Sequence, residues 1–273
     1  MLDKKAKTAG VAGGIQSVDI ALHLVRELAR CDGPVTLSDL ARRAGMPPSK
    51  AHRYLASFIA AGLVVQAGRS GKYDLGPAAM DIGLAALARH DFVNRSADSL
   101  PELRDATGMT ALLSVWGTDG ATVVRWERAP APVITSMGLG TTLPLLTSAS
   151  GRVFIGWSPP GAIRERLAKE LELAKSNPTL AYREDFNEAS VLALRESIRA
   201  AGYASVDGRF IPGLVAIAAP VLDWQGEAQC AITLIGTDPA SVQPDGKAVS
   251  TLLDFCQRHS VSSPATRSAE PAR

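Results

Sequence analysis

Within the decapeptide MPPSKAHRYL (46–55), Ser49, Lys50, His52 and Arg53 fall inside five positions. Bond-breaking chemistry needs a nucleophile or an acid held beside a base, and this cluster offers no such pair. It suits the holding of a polyanion instead: a hydroxyl for phosphate oxygens, and cations for phosphates and base edges. Placed at 100° per residue, Ala51, Leu55, Phe58 and Ile59 share one side, with Arg53 and Ser57 nearly opposite and Ser49 and Lys50 flanking them. His52 falls on the border beside Ile59, a place for packing or a phosphate contact rather than base reading. Short side chains and cations near a helix start allow close approach to a major groove. Ser49 and the free N–H groups of the first turn can hold a phosphate oxygen, helped by the helix dipole. The bland alternative is the solvated face of a three-helix domain.

A second cluster is TSASGRVF (147–154), where Ser148, Ala149, Ser150 and Gly151 lead into an apolar helix. A small ligand can approach the N–H groups of such a first turn, and a carboxylate suits them. The alternative is a plain helix start whose small residues serve close packing.

Catalytic patterns are missing. The chain has no G-x-x-x-x-G-K, no G-x-S-x-G and no H-E-x-x-H. His23, His52, His90 and His259 are scattered, and His23, between Leu22 and Leu24, reads as partly buried structure. Along AQCAITLIG the side chains are expected to alternate, with Gln229, Ala231, Thr233 and Ile235 on one face and Cys230, Ile232 and Leu234 on the other; Cys230, on the apolar face, reads as a structural thiol. Trp126, Glu127 and Arg128 read as a strand end with surface charge. No catalytic residue, cofactor or metal site is expected. With Cys31 and Cys256 the cysteines are odd in number and widely spaced, which argues against a zinc cluster or a disulfide scaffold.

These clusters need elements to position them. Val18, Ala21, Leu22, Val25, Leu28 and Ala29 recur at helical spacing behind Ser17 as N-cap, and CDGP stops that helix. Thr36 and Asp39 form a capping pattern for a second, shorter helix, and Gly45 suits a left-handed exit. After a Pro-Pro turn the third helix starts at Ser49 and stops at Gly62. Two β-prone runs around Gly-Arg-Ser-Gly follow as a hairpin. Three helices and a hairpin make a winged helix-turn-helix over 15–76, behind a flexible tail (1–14). Arg42 and Arg43 on the second helix, and Arg69 and Lys72 in the hairpin, are placed to neutralise flanking phosphates. A connector helix is expected over 77–98. From Met109, strands at ALLSVW, TVVRWER and PVITSM, later helices, and strands at YASVD, GLVAIAAPVLD and AQCAITLIG spell an α+β domain with an antiparallel sheet (99–260). Residues 261–273 read as a disordered tail.

The 273 residues suffice for about two domains. Residues 1–75 carry 11 Lys and Arg against 6 Asp and Glu, whereas the remainder carries 18 against 21. That asymmetry points the basic end at a polyanion. No run is long and apolar enough for a bilayer, and the first residues lack an apolar signal core, so a cytoplasmic location and no membrane partner are expected.

The stretch SVDIALHLVRELA…GPVTLSDLARRAGMPPSKAHRYLASFIAAGLVV…GKYDLG resembles the DNA-binding domain of the isocitrate lyase regulator (IclR) family of bacterial transcription factors. Ser49, His52 and Arg53 match the family's recognition-helix pattern, and KYDLG matches its wing, with Asp74 where Arg is usual. The candidate duplex contacts are therefore Arg42, Arg43, Ser49, Lys50, His52, Arg53, Ser57, Arg69, Lys72 and Tyr73. LPLLTSASGRVFIGW and AAGYASVDGRFIPGLVAIAAPVLDWQGEAQCAITLIG resemble the family's GAF-like effector domain. The resemblance covers roughly residues 15–260. It implies a regulator, repressor or activator, that binds double-stranded operator DNA as a homodimer or homotetramer and responds to a small organic acid. The implied effector contacts are Thr135, Ser148, Ala149, Ser150, Val206, Ala216, Thr233 and Ile235. Where members that bind very small polar acids carry polar side chains at four matching positions, this chain has Val206, Ala216, Thr233 and Ile235. An effector with an apolar or aromatic body and one anionic or polar end is therefore expected. The rival readings are an enzyme of small organic acids with a fused DNA-binding module, and a winged domain that serves as a protein-binding scaffold.

Overall fold

The computed structural model describes residues 14–68, 70–130, 137–176, 186–207, 211 and 213–261. Both expected tails fall largely outside these, as do Arg69, Thr135 and the expected strand at PVITSM apart from Met137. The chain forms two units, divided between His90 and Asp91.

The first unit runs α1 (Gln16–Ala29), α2 (Leu37–Arg43), α3 (Pro48–Ala60), β1 (Val64–Gln66), β2 (Tyr73–Leu75) and α4 (Pro77–Ala88). Thr36 caps α2 as expected, its hydroxyl accepting from the Asp39 amide at 3.2 Å. Gly45 and Gly62 take φ of 62° and 70°, a left-handed conformation open to glycine at the two helix exits. Gly76 has a different role: a Cβ there would collide with the Gly62 carbonyl oxygen, so the wing returns onto the end of α3 only without a side chain.

Leu24, Leu28, Leu40, Ala51, Leu55 and Val64 build the core of this unit. The inward face of α1 is rotated from the expected one. Leu24 and Leu28 are buried, while Val18 and Leu22 are exposed together with Ile15. Ser17 lies inside α1 and Ile15 takes the cap position without a side-chain bond, so Ser17 is not the cap. His23 is exposed rather than partly buried, and Ile59 is also exposed. α4 is apolar apart from Asp81, and its Met80, Ile82 and Leu84 are exposed.

The expected 77–98 connector is two helices. α4 ends at Ala88, and α5 (Phe92–Thr107) starts behind Asp91, whose carboxylate accepts from the Asn94 amide at 2.9 Å. A carboxylate that captures a free amide three residues on starts a new helix rather than continuing an old one. The unit boundary follows this break instead of the expected 98/99.

The second unit continues with β3 (Thr110–Gly117), β4 (Gly120–Glu127), β5 (Thr142–Leu143), α6 (Ala149–Trp157), α7 (Pro160–Ser176), α8 (Glu188–Ala201), β6 (Ala204–Asp207), β7 (Val215–Leu222), β8 (Ala228–Gly236), a short 3-10 turn (Pro239–Val242) and α9 (Lys247–His259). Its six strands form one antiparallel sheet in the order β5-β4-β3-β8-β7-β6. Alternate side chains leave opposite faces. Ala111, Leu113, Ile217, Cys230, Ile232 and Leu234 pack toward α5 and α9. Leu112, Val123, Val206, Ala218, Ala231 and Ile235 pack toward α6, α7 and α8. The alternation expected along β8 is thus observed from Cys230 to Ile235, and a register shift against β7 interrupts it at Gln229, which leaves Ala228 on the side of Ala231.

Candidate functional site

The first candidate site is the outer side of α3. Ala51 and Leu55 are buried and Tyr54 and Phe58 partly so, which fixes the helix by one side. Ser49, Lys50, His52, Arg53 and Ser57 are all exposed on the remainder. Neither Lys50 nor Arg53 forms an ion pair with a described residue. The Ser57 hydroxyl leans back to the Arg53 carbonyl at 3.5 Å. On α2, Arg42 meets Asp39 at 2.6 Å with both groups exposed, a pairing weak enough for phosphate to displace; Arg43 is exposed. In the wing Lys72 is exposed and Arg69 lies outside the described residues.

Tyr73 is a correction. It is 3% exposed and belongs to the core of the first unit. Its backbone exchanges two hydrogen bonds with Val35, at 2.8 and 3.0 Å, which locks β2 so that this side chain turns inward. The side chain is therefore not offered to a duplex.

The second candidate site lies at the start of α6. The Ser148 hydroxyl accepts from the Gly151 amide at 2.9 Å and donates to the Pro144 carbonyl at 2.5 Å, so it caps the helix and is spent on the fold. A Cβ on Gly151 would collide with that same carbonyl oxygen; the preceding loop lies directly on the helix. The loop is also held from α7. The Glu170 carboxylate accepts the Leu145 and Leu146 amides at 2.9 and 3.1 Å, and Arg166 donates to it at 2.8 Å. The amides of Ala149 and Ser150, first in α6, have no hydrogen-bond partner among the described residues. Close packing and an available pair of amides therefore coexist in this segment.

Beneath it the sheet forms two cross-strand rows. Val206, Ala216 and Ile235 pair in one. Ala204, Ala218, Thr233, Leu112 and Trp126 form the next. The Thr233 hydroxyl meets that of Ser150 at 2.7 Å, both buried. Gln229, at the register shift between β7 and β8, gives its amide to Asp223 at 2.7 Å. The structure thus gathers Ser148, Ala149, Ser150, Val206, Ala216, Thr233 and Ile235 on one side of the sheet, and Thr135 lies outside the described residues.

Glu170 and Trp126 were not legible as site residues. Glu170 lies 24 residues from the amide it holds at Leu146. The Trp126 side chain joins the core beneath α6, whereas the sequence places it at a strand end among surface charges.

Burial pushes the Cys230 thiol up to about 12, against a smaller opposing effect of the Ser96 hydroxyl, and pushes Cys256 well above the ordinary thiol range. Both stay protonated at neutral pH, which suits packing and not nucleophilic attack. Among the described residues no group of three or more His, Cys, Asp or Glu is arranged to hold a metal ion, and no helix is long and apolar enough to cross a membrane.

Comparison with known proteins adds to this geometry. The model of the IclR helix-turn-helix domain matches residues 17–68, and that of the bacterial transcriptional regulator IclR C-terminal domain matches residues 84–255. The HTH-type transcriptional regulator BhcR of Paracoccus denitrificans is 29% identical over 226 residues, 82% of this chain and 78% of that protein. The transcriptional repressor IclR of Escherichia coli is 26% identical over 234 residues, 84% of this chain and 82% of that protein. The crystal structure of Pseudomonas aeruginosa HmgR superposes with a TM-score of 0.78 at 36% identity, covering 90% of this chain and 97% of that one.

Proposed function

This chain belongs to the IclR family of bacterial transcriptional regulators, and from that premise we propose that it binds operator DNA as a homodimer and is controlled by a small organic acid with an apolar or aromatic body. The family assignment makes it a DNA-binding regulator. The reading of its DNA face rests on α3, where one side is anchored in the core and the other presents Ser49, Lys50, His52 and Arg53 to solvent. Arg42, Arg43, Ser57 and Lys72 complete that reading, to which the sequence adds Arg69.

The exposed apolar side chains of the first unit support a dimer. α4 leaves Met80, Ile82 and Leu84 uncovered, and α1 leaves Ile15, Val18 and Leu22 uncovered at one-turn spacing. A second copy is the occupant that a two-fold operator requires, because protein symmetry and half-site symmetry must agree. Pairing of two such dimers into a tetramer remains compatible with the same unit.

The pairing of Ser150 with Thr233 carries the effector reading. Val206, Ala216 and Ile235 offer a ligand only carbon, and the Thr233 hydroxyl is already engaged. A tiny polar acid would lose its water here without replacement, at roughly 1–3 kcal/mol for each unpaired group. An aromatic body loses nothing, and its carboxylate has the Ala149 and Ser150 amides to meet. The effector acts by binding one arrangement of the dimer more tightly than another; equal affinity would change nothing. In this reading the protein is a cytoplasmic sensor and not an enzyme.

The test uses purified full chain and the DNA upstream of its own gene. Binding is expected to weaken steeply with salt and to respond to benzoate-like acids but not to glyoxylate or pyruvate. A fragment left unshifted, or a response only to the two small acids, refutes the operator and effector readings respectively.

A further inference from the structure

A single extra residue in β4 decides where Trp126 points. Leu113 pairs with Arg125 and Ser114 with Val123, so Val124 has no partner across the β3–β4 ladder. Such a bulge reverses the face taken by every later side chain in the strand, and bulges recur beside functional sites for that reason. Ala121 and Val123 pack beneath α6. Strict alternation would send Arg125 and Glu127 after them and turn Trp126 away. With the bulge, Trp126 joins the core beneath α6, and Glu127 reaches Arg104 of α5 at 3.2 Å on the opposite side.

Trp126 pairs with Leu112, and Leu112 pairs with Thr233. At a strand spacing of about 4.8 Å, its Cα lies roughly 10 Å from that of Thr233. The re-aimed indole therefore belongs to the row that includes Thr233, beneath the first turn of α6. Its Nε1 is buried and has no hydrogen-bond partner among the described residues. The hydroxyl of Ser114 is in the same condition. Ser114 stands two residues along β3 from Leu112, opposite Ala231, on the same side of the sheet. Folded proteins pair nearly all buried polar atoms, and two exceptions on one face need an occupant to explain them.

The geometry points to Trp126 as a specificity-determining residue of the effector site, its indole N–H donating to an oxygen substituent on the ring of an aromatic acid. This inference rests on the effector reading above and adds the chemistry of the ligand's far end. The carboxylate meets the start of α6, the ring lies over Leu112 and Thr233, and the ring oxygen accepts from Trp126. An acid without that oxygen leaves the N–H unpaired and is bound less well. Ser114 supplies a second polar group on the same face.

Calorimetric titration of the full chain with benzoate, 3-hydroxybenzoate and 4-hydroxybenzoate tests it. One hydroxybenzoate is expected to bind about tenfold more tightly than benzoate. Trp126→Phe keeps an aromatic ring and deletes the N–H; it is expected to abolish that preference, so that the hydroxybenzoate and benzoate bind the variant alike. Should this variant not fold, benzothienylalanine at position 126, with sulfur in place of N–H, makes the same deletion at constant shape. A preference that survives both changes overturns the role of Trp126 and leaves the effector reading standing. Equal binding of all three acids by the natural protein does the same. Binding of none of them removes the effector reading itself, and this inference with it.

Discussion

The hydroxyls of Ser150 and Thr233 lie 2.7 Å apart, 83 residues apart in the chain, and tie the first turn of α6 to β8. Replacing Thr233 by Val keeps the shape and leaves the Ser150 hydroxyl buried alone. A loss of about 1–3 kcal/mol in urea unfolding is expected. The double change Thr233→Val with Ser150→Ala is expected to recover part of that loss, because both ends become apolar together. Additive losses would show that the hydrogen bond contributes nothing.

Removing Lys50 and Arg53 together, each to Ala, is expected to cut operator affinity at least tenfold, roughly 1.4 kcal/mol or more. For each phosphate no longer neutralised, the slope of log affinity against log salt should fall by about one. Fluorescence anisotropy over a salt series separates the two roles. A lowered slope marks phosphate binding; an unchanged slope with relaxed sequence preference marks base reading. Tyr73→Phe, by contrast, should leave binding alone, since that side chain is in the core.

At Gly151 even one methyl group conflicts with the Pro144 carbonyl. Gly151→Ala is expected to cost about 1–3 kcal/mol through overpacking and to weaken effector binding, because the loop and the first turn of α6 shift together. Thermal unfolding and calorimetry report the two effects. Glu170→Gln, which retains an acceptor but gives up the charge that holds two amides and Arg166, should show a milder form of both.

Met80→Glu with Leu84→Glu places charge on the uncovered length of α4. If that helix joins two copies, light scattering will show a smaller species and operator affinity will fall, although Lys50 and Arg53 are untouched. An unchanged mass would move the dimer interface elsewhere.

Stability should decline on the alkaline side. The folded chain holds the Cys230 proton up to about 12, whereas the unfolded thiol releases it near 9. Between those values the folded state carries the extra proton, so rising pH favours unfolding. The contribution is whole below the unfolded value and lost as pH climbs toward the folded one. For a thiol that stays protonated, the slope approaches 1.4 kcal/mol per pH unit, an order-of-magnitude figure. Urea midpoints between about pH 9 and 11 should fall more gently in Cys230→Ala than in the natural chain. A thiol reagent should label Cys31, which is partly exposed, well before Cys230 or Cys256.

Local signals made much of the fold readable. Gly45, Gly62 and the Thr36–Asp39 cap are short-range features, and their turns and caps formed where their chemistry required. The outward set on α3 followed from helical period, and the alternation along β8 from strand period. Where apolar residues outnumbered the available core, period alone misled. α1 carries enough of them for two faces, and packing against the rest of the unit chose Leu24 and Leu28 over Val18 and Leu22. Tyr73 was misplaced for a similar reason: its direction depends on a bridge to Val35, 38 residues earlier.

The sequence by itself determined the three helices and hairpin of the first unit, the basic helix among them, and the small-residue start of α6, because each is written within one or two turns of chain. Only the tertiary structure decided that Ser150 meets Thr233, that Glu170 grips the loop before α6, and that Trp126 faces the α6 side of the sheet. The first two join residues brought together by the sheet and helix packing. The last turns on one unpaired residue, Val124, whose extra length shows only when β4 is laid against β3.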